Sequence, residues 1–197
     1  MTEPPAFYDD LPGCLAEAWR RLEEGAAHRS GFHAPALATI GRDGAPRLRT
    51  VVLRGVDRDS RTLRIHCDAR SDKAAEIAAD PRVALHAYDP AAKIQVRIEG
   101  EARLHGQDAV ARAAWAASRP MSRVCYGTAP GPGTPLPAGG AYALPEDEAA
   151  VDAGFSEFRV IVLTAARLDF LYLARRGHRR ALFTWDGEEP AATWLAP

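Results

Sequence analysis

Two basic clusters in this chain combine residue types and spacing that can hold an anion. In Ser71-Asp72-Lys73-Ala74 a serine suits the N-cap of a short helix and a lysine lies in its first turn. A cation at that end opposes the helix dipole by about 0.3–1 kcal/mol. It makes sense once an anion rests on the free N–H groups there. Arg49, a strand arginine with apolar neighbours, can offer a planar fork to the same anion. The blander reading of Lys73 and Arg49 is a pair of solvated surface charges. The second cluster is Arg176-Gly177-His178-Arg179-Arg180, which on its residues alone also reads as a basic hairpin turn. Other chemistries find little support. The six histidines are scattered without an H-x-x-x-H pair or an acidic partner at ligand spacing, so no metal site is expected. Neither a G-x-S-x-G elbow nor a P-loop is present. Glu146-Asp147-Glu148 reads as a solvated loop or a helix start.

The elements that must position these residues are mostly short strands. Residues 1–10 read as a loose start. A helix follows, with Pro12 in its first turn, Asp9 and Asp10 at its positive end, and Leu11, Leu15, Trp19 and Leu22 on one apolar stripe. Trp19 is therefore expected to pack, and Gly25 to loosen the helix end. Strands are expected over 36–41, 48–54, 62–67, 83–88 and 94–104. Asp43-Gly44 supplies the positive φ of a hairpin turn. Between the third and fourth strands a helix over 71–79 stops before Pro81. In Ile94-Gln95-Val96-Arg97-Ile98-Glu99 strict alternation leaves one dry face and one carrying Gln, Arg and Glu. An alanine-rich helix is expected over 108–117, and further strands over 158–163, 168–173, 180–185 and at 193–194. The Gly/Pro-rich stretch 128–140, TAPGPGTPLPAGG, must be an extended loop. Repeated short strands joined by turns predict a mainly β, antiparallel barrel with peripheral helices. We read residues 1–197 as a single domain elaborated by that loop.

Composition narrows the classes. Hydrophobic residues make up 47% of the 197, enough for a core, and the formal net charge of −1 gives no global pull toward nucleic acid or an anionic membrane. Cys14, Cys67 and Cys125 have no C-x-x-C spacing and read as reduced thiols. No charged-then-apolar leader and no apolar run approaching ~20 residues is seen, so a cytoplasmic protein without a membrane span is expected.

Three stretches in this order and spacing, Arg49-Thr50-Val51-Val52-Leu53-Arg54, Ser71-Asp72-Lys73-Ala74 and Gln95-Val96-Arg97-Ile98-Glu99-Gly100, resemble the pyridoxamine 5′-phosphate oxidase-like family of FMN-binding split barrels. The C-terminal Arg176-Gly177-His178-Arg179-Arg180 and Trp194-Leu195-Ala196-Pro197 add a second match, and the likeness covers about two thirds of the chain. It implies a homodimer with FMN at the interface. It also implies FMN contacts from Arg49, Thr50, Val51, Val52, Leu53 and Arg54, from His66 and Cys67, from Ser71 and Lys73 at the phosphate, and from Gln95 and Arg180. An amide such as that of Gln95, with donors and acceptors, suits the pyrimidine edge of a flavin. A substrate pocket would draw on Arg54, Trp115, Arg119, Arg176 and His178. By alternation Arg49 and Arg54 point to opposite faces of one strand; either both faces are used or a bulge intervenes.

The departures from the family fall on the substrate side. Trp115 stands where a phosphate-binding tyrosine is usual, Arg123 replaces a serine, and a flavin-contacting Gln-Ser pair is lost in the Gly/Pro loop. Asp72 replaces a basic phosphate ligand, and Phe170 roughly replaces a flavin-side tryptophan. Arg123-x-x-Tyr126 followed by Pro130-Gly131 is closer to poorly characterised FMN-binding relatives than to the vitamin B6 enzyme. The resemblance thus implies an oxidoreductase exchanging a hydride between FMN and a small, anionic substrate, with no catalytic residue singled out. One alternative is a genuine pyridoxamine/pyridoxine 5′-phosphate oxidase, in which Arg119, Arg176 and His178 converge on one phosphate. Another is a non-catalytic protein that sequesters a flavin or a tetrapyrrole-like ligand.

Overall fold

The computed structural model describes residues 3–197. Helix α1 (Leu11–Ala27) is capped by Asp10, whose carboxylate accepts the Gly13 N–H at 3.1 Å. Its stripe of Cys14, Ala18, Trp19 and Leu22 is buried, so Trp19 packs as expected. The helix continues two residues beyond Gly25. Over residues 3–10 the chain is pinned, not loose: the Tyr8 hydroxyl donates to Gly177 O at 2.7 Å, and Phe7 meets Phe170 edge-on. Residues 1 and 2 lie outside the described residues.

Strands β1 (Ala36–Ile40), β2 (Pro46–Thr50), β3 (Leu53–Asp57), β4 (Thr62–Asp68), β5 (Arg82–Asp89), β6 (Ile94–His105), β7 (Phe158–Tyr172), β8 (Arg179–Thr184) and β9 (Ala191–Leu195) form one antiparallel sheet. Their order is β2-β1-β5-β6-β7-β4-β3, with β8 and β9 added beside β7. The β1–β2 hairpin turns at Gly44, whose φ of 78° needs no Cβ. The two ends of that order, β2 and β3, are consecutive in the chain, so the sheet curls into a split barrel. The strand expected over 48–54 is therefore two strands. Val51-Val52 carries the chain between sheet edges, with the Val51 N–H bonded to Pro35 O and the Leu53 N–H to His33 O. The register then shifts between Leu53 and Gly55 against β4, leaving Arg54 as the bulged residue. A break and a bulge together resolve the conflict between Arg49 and Arg54.

Two strands were expected over 158–163 and 168–173, yet β7 is one strand of 15 residues that pairs with β4, β6 and β8. The polar middle hides a bulge. Glu99 pairs with Arg167 and Gly100 with Ala165, so Ala166 has no partner on β6, and its carbonyl accepts the Trp185 N–H at 3.0 Å. Inside the barrel lie Leu37, Leu53, Ile65, Val96, Ile98 and Phe170, all fully buried. A smaller aromatic core gathers Trp115 of α3 (Ala109–Ala116), Tyr126 of a 3₁₀ turn (Val124–Gly127), Phe155 and Phe158.

Short helices α4 (Pro120–Arg123) and α5 (Glu148–Ala153) were not foreseen as such, although Asp147 caps α5 where the acidic run suggested a helix start. The Gly/Pro loop lacks regular elements over 130–142, but its base is tied. Ala129 and Ala143 form a bridge, and Arg70 donates to Thr128 O at 3.0 Å and Tyr126 O at 3.2 Å.

Candidate functional site

The first group of expected ligand-binding residues lies where β4 runs into α2 (Asp72–Ala79). Ser71 occupies the N-cap, but its hydroxyl donates back to Asp68 O at 2.6 Å and does not cap the helix. Asp68 itself is occupied by Arg70, which reaches it at 2.6 Å. The first-turn N–H groups of α2 are thus left without a side-chain cap, beside half-buried Lys73 and exposed Asp72. Cys67, just upstream, is no thiolate: burial pushes it up to about 11, although Lys73 pulls the other way. In the β2–β3 crossing, the Val52 N–H has no acceptor among the described residues, while its neighbours are both bonded. Uncapped helix N–H groups, a first-turn lysine and an open backbone donor suit a phosphorylated, heterocyclic ligand such as FMN. Thr50 is exposed at the end of β2, whereas Leu53 is fully buried and offers a ligand only its backbone.

Arg49 differs from expectation in one respect. Its guanidinium is already engaged: it donates to Glu76 Oε2 at 2.6 Å, to Leu37 O at 3.4 Å and to the Thr39 hydroxyl. Glu76 is 5% exposed and also accepts from Thr39 at 2.6 Å. A ligand phosphate must therefore compete with a buried carboxylate for this arginine. Sequence reasoning missed Glu76 because an acid on a short helix three residues after a lysine reads as surface.

Arg54, thrown outward by its bulge, stands near His66 and Tyr126, whose proton affinities it influences. The His66 ring meets Phe158 edge-on at 4.9 Å, and its Nε2 is buried without a partner among the described residues. Burial first, then the charges of Arg54 and Arg64, lowers His66 to about 4, so it is neutral at pH 7. A histidine depressed in the folded state destabilises the fold as pH falls. The unfolded chain takes up the proton below its ordinary value near 6.5, and the loss is complete once the folded form protonates near 4. Stability should fall by up to roughly 3 kcal/mol over that window from this group, and His66→Phe should remove that part of the slope. Urea midpoints from pH 7.5 to 4 measure it; parallel curves for the two proteins would refute it.

Trp115 is 9% exposed and wedged between Tyr126 and Phe158, with Arg123 stacked 5.1 Å from its ring centroid. It forms core structure and presents little surface to a substrate. Arg119, exposed at the N-cap of α4, lies at the same end of the molecule.

The second group lies at and just past the C-terminal end of β7. On the outer face of the sheet, register places Gln95, Leu171 and Arg180 side by side. The residue taken to replace the flavin-side tryptophan, Phe170, is 0% exposed and points into the barrel; Leu171 is the one that shares the face of Gln95. Period-2 alternation settles this, because neighbours on a strand face opposite ways. Asp169, 1% exposed, takes Arg97 at 2.6 Å and Arg180 at 2.8 Å. Burial raises its carboxyl, but the Arg180 and Arg97 hydrogen bonds outweigh that and hold it below the usual range. Arg176 is exposed at a cleft of about 440 Å³ with Lys93 and Tyr172, and His178 at one of about 300 Å³ with Arg180 and Trp194.

Arg119 and the pair Arg176/His178 therefore sit toward opposite ends of β7. Fifteen extended residues span roughly 50 Å before bulge and coiling shorten them. Within one chain the three do not converge. Among the described residues no group of three or more His, Cys, Asp or Glu could hold a metal, and no helix is long and apolar enough to cross a membrane.

Residues 16–106 match the family model described as pyridoxamine 5′-phosphate oxidase, FMN-binding domain. A pyridoxine/pyridoxamine 5′-phosphate oxidase 2 of Arabidopsis thaliana is 35% identical over 136 residues, 62% of this chain and 67% of that protein. The pyridoxine/pyridoxamine 5′-phosphate oxidase of Sphingopyxis alaskensis is 38% identical over 95 residues, 48% of this chain and 43% of its own. The match thus spans less than half of several such relatives. Among solved structures, a pyridoxamine 5′-phosphate oxidase-related, FMN-binding protein from Nostoc punctiforme superposes over 100% of both chains with a TM-score of 0.69 at 24% identity. PhzG from Burkholderia lata, in complex with tetrahydrophenazine-1-carboxylic acid, gives 0.71 at 21%, over 100% of this chain and 99% of that one. These two likenesses establish the split-barrel fold. The 35% identity to the Arabidopsis protein over 67% of its length, with the matched family model, leads to one assignment: the chain belongs to the pyridoxamine 5′-phosphate oxidase family and carries its FMN-binding domain.

Proposed function

We propose that this protein is an FMN-dependent oxidoreductase that works as a homodimer on a small anionic substrate. One observation carries the reading. The residues expected to meet FMN form two groups, one around the N-terminus of α2 and one on the outer face of β6, β7 and β8. They lie near opposite ends of the same long strand. A single chain cannot close both groups on one ligand, whereas two copies related by a two-fold axis can, each supplying one group to the other. Bound FMN would supply two-electron chemistry. The chain's own work would be to hold the phosphate at Ser71 and Lys73, to meet the ring with the Val51–Val52 backbone and Gln95, and to gather the substrate's charge. Arg54 and Arg119 of one copy, with Arg176 and His178 of the other, are the cations available for that last role.

The names of the curated relatives favour a more specific version, oxidation of pyridoxine 5′-phosphate to pyridoxal 5′-phosphate. The alcohol loses two electrons and two protons, and oxygen takes them up as hydrogen peroxide. Against it stand the buried Trp115 and the acidic Asp72.

The test is an absorbance spectrum, FMN titration and sedimentation of the purified protein, followed by pyridoxine 5′-phosphate in air. We expect a dimer that binds one FMN per chain. Pyridoxal 5′-phosphate formation would establish the specific version. Tight FMN without that product would leave the flavoprotein reading and direct the search to other anionic substrates. A monomer binding FMN as tightly as the dimer would overturn the shared site.

A further inference from the structure

On the outer face of the sheet a carboxylate sits where a solvated side chain is expected. Asp169 is 1% exposed, in register with Arg97 on β6 and beside Arg180 on β8. It holds Arg180 in two places: Nε donates to Oδ1 at 3.1 Å and Nη2 to Oδ2 at 2.8 Å. Such a two-point grip fixes both the position and the plane of a guanidinium, which a single hydrogen bond does not. Arg97 closes the cluster from the other side at 2.6 Å to Oδ2. The Nη1 edge of Arg180 has no partner among the described residues, and its side chain keeps 29% of its exposure. The free edge lies in the same row as Gln95, with only Leu171 between. Two cations and one anion leave one net positive charge, aimed rather than mobile.

We propose that Asp169 is a positioning residue of the cofactor site. It locks Arg180 by the Nε–Nη2 edge so that Nη1 and the remaining charge face the flavin. This rests on the reading that Arg180 contacts FMN. The purely structural account is that Asp169 only neutralises two arginines over the barrel wall. That account predicts a stability loss for its removal, but no coupling to the ligand through Arg180.

The experiment is FMN titration, followed by flavin fluorescence, of the 197-residue protein and of Arg180→Ala, Asp169→Asn and the double variant. The visible spectrum of FMN at saturation is recorded for each. Without the charge-assisted hydrogen bond from Arg180, FMN should bind about tenfold more weakly, or weaker still. Asp169→Asn should weaken it by a similar factor, give the spectrum of the Arg180→Ala complex, and cause no further loss in the Arg180→Ala background. If Arg180→Ala binds as the parent does, the Arg180 reading falls and this proposal with it. If Arg180→Ala is weakened while Asp169→Asn is not, or if the two effects multiply, only the positioning role is overturned. Should Asp169→Asn not fold, Asp169→Glu, which keeps the charge but changes its reach, takes its place with the same expected outcomes.

Discussion

Replacing Gly100 by alanine is expected to lower the unfolding midpoint by roughly 6–20 °C. Gly100 ends the Gln95–Gly100 stretch and sits opposite the β7 bulge, paired with Ala165. A Cβ built on it would lie 2.0 Å from Thr164 O and 3.0 Å from Thr164 C, both backbone atoms. No side-chain rotamer can relieve such an overlap, so β6 and β7 must separate where their register already shifts. A forced backbone displacement in a packed centre costs about 3–5 kcal/mol, and for a chain of this size each kcal/mol moves the midpoint by roughly 2–4 °C. Gly139 is the internal control. A Cβ there meets nothing within 4 Å, so Gly139→Ala should stay within about 0.5 kcal/mol of the parent. Thermal melts of the two variants decide the matter. Equal midpoints would mean that the strands give way more cheaply than their packing implies.

That glycine shows where the sequence was legible and where it was not. The motif was visible in the order of residues, but the reason for its last member was not. It depends on how closely a strand 65 residues downstream approaches (Gly100 to Ala165). Alternation placed Gln95 on the outer face and buried Ile94, Val96 and Ile98, because period 2 is a local property of a strand. The same rule identifies Leu171, not Phe170, as the residue on the Gln95 face, but only once the register of β7 against β6 is known. The run 48–54 read as one strand because its residues are uniformly β-favouring; the break at Val51–Val52 is imposed by barrel closure. Likewise β7 read as two strands because Thr164–Arg167 carries polar and small residues, which here form a bulge within one strand. Trp115 illustrates the limit for side chains. Aligning its position with a substrate ligand says nothing about the aromatic neighbours that bury it.

Glu76→Ala is expected to destabilise the protein by about 2–4 kcal/mol, and FMN is expected to restore much of that loss. The carboxylate is 5% exposed and takes Arg49 and Thr39. Removing one partner of a buried pair costs roughly 3–5 kcal/mol because the other charge is left uncompensated. The lower range applies here since the Arg49 side chain keeps 23% of its exposure and water can reach it. In the parent protein a ligand phosphate near Lys73 must draw Arg49 away from Glu76 or share it with a like charge. In the variant Arg49 has no rival partner, so FMN should bind at least as tightly and raise the midpoint by more than it raises the parent's, following ligand linkage. Glu76→Gln, which keeps an acceptor for Thr39 and Arg49 but not the charge, should lose less stability and show the same enhanced response. Melting curves with and without saturating FMN measure both effects. A variant destabilised but no more responsive to FMN than the parent would mean that Arg49 serves the barrel alone, leaving the phosphate to Lys73 and the helix N–H groups.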